Sequence, residues 1–394
     1  MARFAVLLSL LLTLVGCRRG HAANKPSAAL PGTLGTRVLV VERASGSLAA
    51  YDWSERTLLP NRIEGLGDLH HATMTFGPDL HWGFLATRSG RLVRIDLDTL
   101  KVDGEVQTSK NSIDLGITHD GRTIGVAEYI PGGVTLVDAR TMTVKTRIPS
   151  SSRVTGMVDA PGNKLVCVLI EGQEIWILDP AAPSPVTHKI KAGAGMPYDA
   201  MITADGRHYV VGKLGSDGIA VLDLEKPEAG VREISLRDPE LPAEVGSPKK
   251  LPHMASWAQA GRFLFVPLVG EKRLAVLERE TFSFVKSVPL RGHPVYTVRA
   301  PSEREIWVSF SGEEDDAWLD VVDTTSLTVK RSLRVGRRVY HLDFTPRGSH
   351  LLVTANADDE LVLVDAARYE VVDRKKLRSP SGIFSPFRAA RIGL

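Results

Sequence analysis

The sequence predicts an all-β chain folded as an eight-bladed β-propeller, and three observations predict it. One phrase recurs along the chain: an alternating apolar strand, a turn rich in Asp, Gly or Pro, a second strand, and a further strand closing on an acid. The closing acids stand at Asp52, Asp96, Asp138, Asp179, Asp223, Glu278, Asp323 and Asp365, spaced 41 to 45 residues apart except for one interval of 55. Units of that length with three or four short strands each are the pattern of propeller blades. Nowhere does a 3.6-residue apolar period persist for ten residues, so helix content is expected to be very low.

The elements follow in order. Met1, Ala2 and Arg3 precede the 12-residue apolar run Phe4 to Val15, which is too short to cross a bilayer and has the layout of an export signal. The run ends on Leu14-Val15-Gly16-Cys17, which resembles a bacterial lipobox. Residues 1–16 are then a cleaved lipoprotein-type signal peptide, Cys17 the lipidated first residue, and 18–36 a flexible leader. A plain secretory signal cleaved nearby is the alternative. Either way the expectation is a periplasmic protein, anchored to the membrane where Cys17 carries lipid.

Residues 37–394 hold the repeats. Their closing strands read Ala49-Ala50-Tyr51-Asp52, Leu92-Val93-Arg94-Ile95-Asp96, Thr135-Leu136-Val137-Asp138 and so on to Val362-Leu363-Val364-Asp365. The first turns, such as His119-Asp120-Gly121 and Ala204-Asp205-Gly206, supply the positive-φ positions that tight hairpins need. The long interval points to a surface insertion between Glu225 and Lys250. Acids that recur in every unit are structural, bonding the amides of the turn that follows.

Composition narrows the function. With 43% hydrophobic and 24% charged residues the chain can bury a full core. Its 49 Lys+Arg against 46 Asp+Glu leave a net charge of +3, too little for a nucleic-acid-coating surface. Two cysteines rule out a disulfide scaffold, and Cys167, inside Leu165-Val166-Cys167-Val168-Leu169-Ile170, reads as a packed small hydrophobe. No HExxH or CxxC metal spacing, Gly-x-Ser-x-Gly elbow, Walker loop or dinucleotide fingerprint is present.

In a propeller the innermost strands all start on one face. Counting back eight residues from each first turn places His71, Ser112, Val154, Pro197, Pro252, Pro294 and Val339 on one ring, with His70, Arg153, His293, Arg338, Tyr198, His253 and Tyr340 beside them. His71 and His253 are the leading candidates to face a ligand, with His70 and His293 behind them. His81, His119, His188, His208 and His350 fall in turns or on outward strand positions and are read as bland.

These residues carry a family resemblance. His71-Ala72-Thr73-Met74, running into Leu85-Ala86-Thr87-Arg88-Ser89-Gly90-Arg91, is similar to the iron-ligand segment of the heme d1 domain of cytochrome cd1 nitrite reductases. Ala127-Glu128-Tyr129-Ile130-Pro131, Leu251-Pro252-His253, Arg337-Arg338-Val339-Tyr340 and Ser379-Pro380-Ser381-Gly382-Ile383-Phe384 resemble further landmarks of that domain. The match runs from about Arg37 to the end. Without a Cys-x-x-Cys-His attachment or an added electron-entry domain, the chain resembles the shorter heme d1 biosynthesis members. Thr297-Val298-Arg299-Ala300-Pro301 has no histidine where the reductases carry a second distal one, which argues against nitrite reduction.

The resemblance implies a site for heme d1 or dihydro-heme d1. His71 would be the axial iron ligand and His253 an acid or base on the reacting side. Arg88 and Arg338 would clamp carboxylates, with Arg91, Arg153 and Lys213 as further cations. Tyr129, Tyr198 and Tyr340 would pack on or bond to the ring edge. Two roles stay open: dehydrogenation of a propionate to an acrylate with an electron acceptor the sequence does not reveal, or carriage of the cofactor. The implied partners are cytochrome cd1 nitrite reductase and other heme d1 maturation proteins, with no nucleic acid; a homodimer stays open.

Overall fold

Each repeat folds into a four-stranded antiparallel sheet, and eight such sheets make up the computed structural model, which describes residues 33–216, 218–241 and 257–388. The middle strands of the blades are near-continuous buried runs, as in Phe263–Leu268 and Lys164–Leu169, because both faces of each sheet are covered by neighbouring blades. Eight hydrophobic clusters result, one in each seam between adjacent blades. Outer strands such as Thr143–Pro149 instead alternate exposed and half-buried residues, as an edge facing water requires.

Blades 2 to 8 run from the inside outward in chain order. Blade 2 consists of Thr73–Phe76, Trp82–Ala86, Arg91–Asp96 and Lys101–Gln107. Blade 1 departs from that rule. Arg37–Glu42, Ser47–Asp52 and Thr57–Ile63 are its three outer strands, and its innermost strand is Pro380–Phe384 from the far end of the chain. Ile383 lies opposite Val40 and Phe384 opposite Leu39, so the two ends of the propeller share one sheet and no blade edge is left open between them.

Among the described residues, helix is confined to short 3-10 turns, such as Pro227–Ala229 and Asn356–Asp358. The closing aspartates end the third strand of their blades, except Asp179, which stands one residue past Glu174–Leu178. Asp52, Asp96, Asp138, Asp323 and Asp365 each accept the amides two and three residues on, at 2.8–3.1 Å. Those amide bonds hold the carboxyls of Asp138, Asp323 and Asp365 below the usual range.

Hydrogen bonds stitch the seams as well. Thr73 Oγ1 donates to the Ile113 carbonyl at 2.9 Å, Met157 N–H to Asp114 Oδ2 at 2.9 Å, and Tyr209 Oη to the Gly156 carbonyl at 2.6 Å. Gly156 has φ +59°, and a Cβ there would stand 2.8 Å from the Ala200 nitrogen, so this contact admits glycine alone.

The surface insertion needs correcting. Part of the stretch from Glu225 to Lys250 is the outer strand of blade 5, Val231–Ser235, so the surplus residues lie after it. Cys167 is fully buried and its thiol is pushed up by desolvation, in line with a packed hydrophobe. Among the described residues no helix is long and apolar enough to cross a membrane. Cys17 and the leader to Gly32 lie outside the described residues.

Candidate functional site

Inner strands start, and second strands end, on the same face, so the topology gathers residues far apart in sequence. His71 precedes Thr73–Phe76, Arg88 follows Trp82–Ala86, and Tyr129 lies near the end of Thr123–Ile130. Arg153 directly precedes Val154–Ala160, Tyr198 lies in Met196–Ile202, Lys213 in His208–Leu214, and Arg338 and Tyr340 flank the start of Val339–Phe344. These eight candidates therefore share the mouth of the channel. His253 lies outside the described residues.

Blades 3 to 5 build one arc. The Arg153 guanidinium sits over the Tyr129 ring, 5.3 Å from its centroid, a cation–π arrangement. Burial pushes the Tyr129 hydroxyl above its ordinary range; Tyr198 adds to that rise, and Arg153 and Arg88 oppose it. Tyr129 thus stands within electrostatic reach of three other candidate groups. Arg153 is itself held by Glu171, whose carboxylate takes its Nε–H at 2.6 Å.

Blades 8, 1 and 2 complete the ring. The Arg43 guanidinium stacks 4.2 Å from the Tyr340 ring centroid. Arg338 adopts a left-handed backbone, φ +53°, and is exposed. His70 is exposed and turned to Asp68, with Nδ1 2.7 Å from its carboxylate, whereas His71 is half-buried. Three of the large apolar side chains exposed on the surface, Ile130, Met196 and Tyr340, belong to this face.

Just below the mouth, the inner strands of blades 3, 4, 5, 7 and 8 each shift register. Bulges of this kind re-aim side chains, and they bring Asp114, Gly156, Asp199, Tyr296 and His341 to equivalent positions. His293 opens the inner strand of blade 7 with Nδ1 2.6 Å from the Val269 carbonyl. A carbonyl only accepts, so Nδ1 carries the proton and Nε2 keeps its lone pair, the tautomer that suits a ligand or base.

Lys213 differs from the other cations. Its side chain is 3% exposed and its ammonium bonds Glu233 on the outer strand of its own blade, so the charge is already paired within the protein. Arg91 likewise pairs with Glu105. Sequence reading passed over Arg43 and Glu171. The signal for Arg43 was its place just past a second strand, the slot that Arg88 fills in blade 2.

A mouth with aromatic faces, apolar lips and several guanidinium groups can hold a flat molecule that carries carboxylates. The comparisons with known proteins agree with that chemistry. The family model described as the cytochrome D1 heme domain matches residues 34–389. The chain belongs to the cytochrome D1 heme domain family.

Within this heme domain family it is 36% identical to Protein NirF of Pseudomonas aeruginosa over 98% of both chains. Protein NirF of Stutzerimonas stutzeri is 34% identical over 98% of this chain and 99% of its own. Dihydro-heme d1 dehydrogenase of Pseudomonas aeruginosa is 28% identical over 80% of this chain and 64% of its own. The solved structure of dihydro-heme d1 dehydrogenase NirN in complex with DHE superposes with a TM-score of 0.78 at 23% identity, covering 91% of this chain and 77% of that one. The propeller is thus the fold of the D1 heme domain family, as the sequence resemblance implied.

Proposed function

We propose that the chain is a heme d1 biosynthesis protein of the NirF type that binds dihydro-heme d1 or heme d1 in the channel mouth and dehydrogenates a propionate side chain to an acrylate. The observation that carries the binding is the arc of Tyr129, Arg153 and Tyr198, with Arg88 in the same electrostatic field. Flat aromatic surface lies there beside cations, which is what an apolar ring with carboxylate substituents requires. The likeness to dihydro-heme d1 dehydrogenase supports the chemistry.

In this reading His71 ligates the iron, and Arg88, Arg153 and Arg338 hold carboxylates. Forming the double bond breaks two C–H bonds. Two protons and two electrons leave, the protons by way of a base such as His253 and the electrons to an external acceptor. A membrane anchor on Cys17, a periplasmic location and delivery of the product to cytochrome cd1 nitrite reductase complete the proposal; they rest on the sequence.

The test is an absorption titration of the leaderless protein with dihydro-heme d1, followed by an electron acceptor. Wild type should bind and convert the ligand. His71→Ala should change the spectrum of the bound form, and an unchanged spectrum removes His71 as iron ligand. His253→Ala should bind without converting. Full conversion by that variant overturns its role as base. Binding without conversion by wild type leaves a carrier.

A further inference from the structure

We propose that Glu171 is a positioning residue that aims the terminal nitrogens of Arg153 into the mouth, where they grip a carboxylate of the bound ring end-on. The inference rests on the ligand reading above. Arg153 opens the inner strand of blade 4, and Glu171 stands just past the second strand, Lys164–Leu169. One carboxylate binds both the chain and the side chain of the arginine. Glu171 Oε2 accepts the Arg153 main-chain N–H at 2.8 Å, and Oε1 accepts the Nε–H at 2.6 Å.

The carboxylate is itself fixed. Ser152, buried, lies with Oγ 3.1 Å from Glu171 Oε2 and accepts the Glu171 and Gly172 amides at 3.0 and 3.1 Å. With Nε committed sideways and one face stacked on Tyr129, the guanidinium keeps its two Nη groups. These donate no hydrogen bond to a described residue. That end is the fork which matches a carboxylate bidentately.

Stability does not account for the arrangement. The two side chains are 48% and 44% exposed, and an ion pair that open to water contributes little to folding. Coulomb's law also sets a sign. A negative charge beside Arg153 repels an anionic ligand, so charge alone predicts that Glu171→Gln binds more tightly. Positioning predicts the reverse, because the freed arginine must be ordered again on each binding event.

Dihydro-heme d1 and its methyl esters serve as probes in absorption titrations. Glu171→Gln is expected to bind the free acid roughly tenfold more weakly than wild type, about the strength of one charge-assisted hydrogen bond. It should also lose most of the preference for acid over ester. In an Arg153→Ala background the same substitution should change nothing. Equal or tighter binding by Glu171→Gln, or an undiminished loss without Arg153, overturns the inference while leaving the ligand reading intact. Failure of wild type to bind at all overturns the ligand reading itself.

Discussion

Tyr296 Oη lies 2.7 Å from His341 Nε2 across the seam of blades 7 and 8, and His341 Nδ1 accepts the Ile383 N–H at 3.3 Å. Accepting at Nδ1 places the ring proton on Nε2, so the imidazole donates to the tyrosine oxygen. One side chain therefore ties together the innermost strands of blades 7, 8 and 1. His341→Ala is expected to lower the unfolding free energy by about 2 kcal/mol and Tyr296→Phe by about 1 kcal/mol. In urea unfolding, the double variant should be no less stable than His341→Ala. Additive losses would show that the two residues do not act as a pair.

Glu128 makes stability depend on pH. It is buried, and desolvation raises its carboxyl to about 7, against the opposing hydrogen bond from Thr135 Oγ1 at 2.5 Å. Below about pH 4.5 the group is protonated in both the folded and unfolded chain. Between that value and about 7 the unfolded chain gives up its proton while the fold keeps it, so this contribution lowers stability as pH rises and levels off above 7. Glu128→Gln should melt higher than wild type at pH 8 and equal to it at pH 4.5. A constant difference across that range would refute the assignment.

Much of the fold was legible because each blade repeats one physical problem. The acid at the end of the third strand recurs because every third strand leads into a turn with open amides, and Asp52 and Asp365 solve it alike. The mouth was legible for a related reason: once the first turns are found, counting back locates His71, Arg153 and Tyr340. What the count does not contain is the direction of a side chain. Lys213 sits in register with the mouth, yet its ammonium is buried against Glu233, and the partner that captures it is on a different strand. Arg43 was missed because the count reaches only the starts of inner strands, and Arg43 stands past the end of a second strand, Arg37–Glu42.

The strand that blade 1 borrows from the far end of the chain leads to the last prediction. Glu42 is fully buried where the chain ends meet, and its carboxylate accepts Arg62 Nε–H at 2.7 Å, Ser47 Oγ–H at 3.0 Å and the Arg378 main-chain N–H at 3.0 Å. The Arg43 amide donates to the Ser379 carbonyl at 3.1 Å beside it. Arg62 and Ser47 belong to blade 1 itself, whereas Arg378 lies in the turn that leads into Pro380–Phe384, so of the three bonds to Glu42 this one spans the closure. Glu42→Ala removes the acceptor shared by the buried Ser47 hydroxyl, the Arg378 amide and the partly exposed Arg62 guanidinium, at a cost of roughly 2 kcal/mol. The loss should be local. Amides of Pro380–Phe384 should exchange with solvent faster in the variant, while those of the third strand of blade 8, Glu360–Asp365, keep their wild-type rates at neutral pH. Opening confined to the closing strand places the weak seam of the propeller where the two chain ends meet. Acceleration shared evenly by all eight blades would mean that the ring unfolds as one unit, and that Glu42 supports the whole of it.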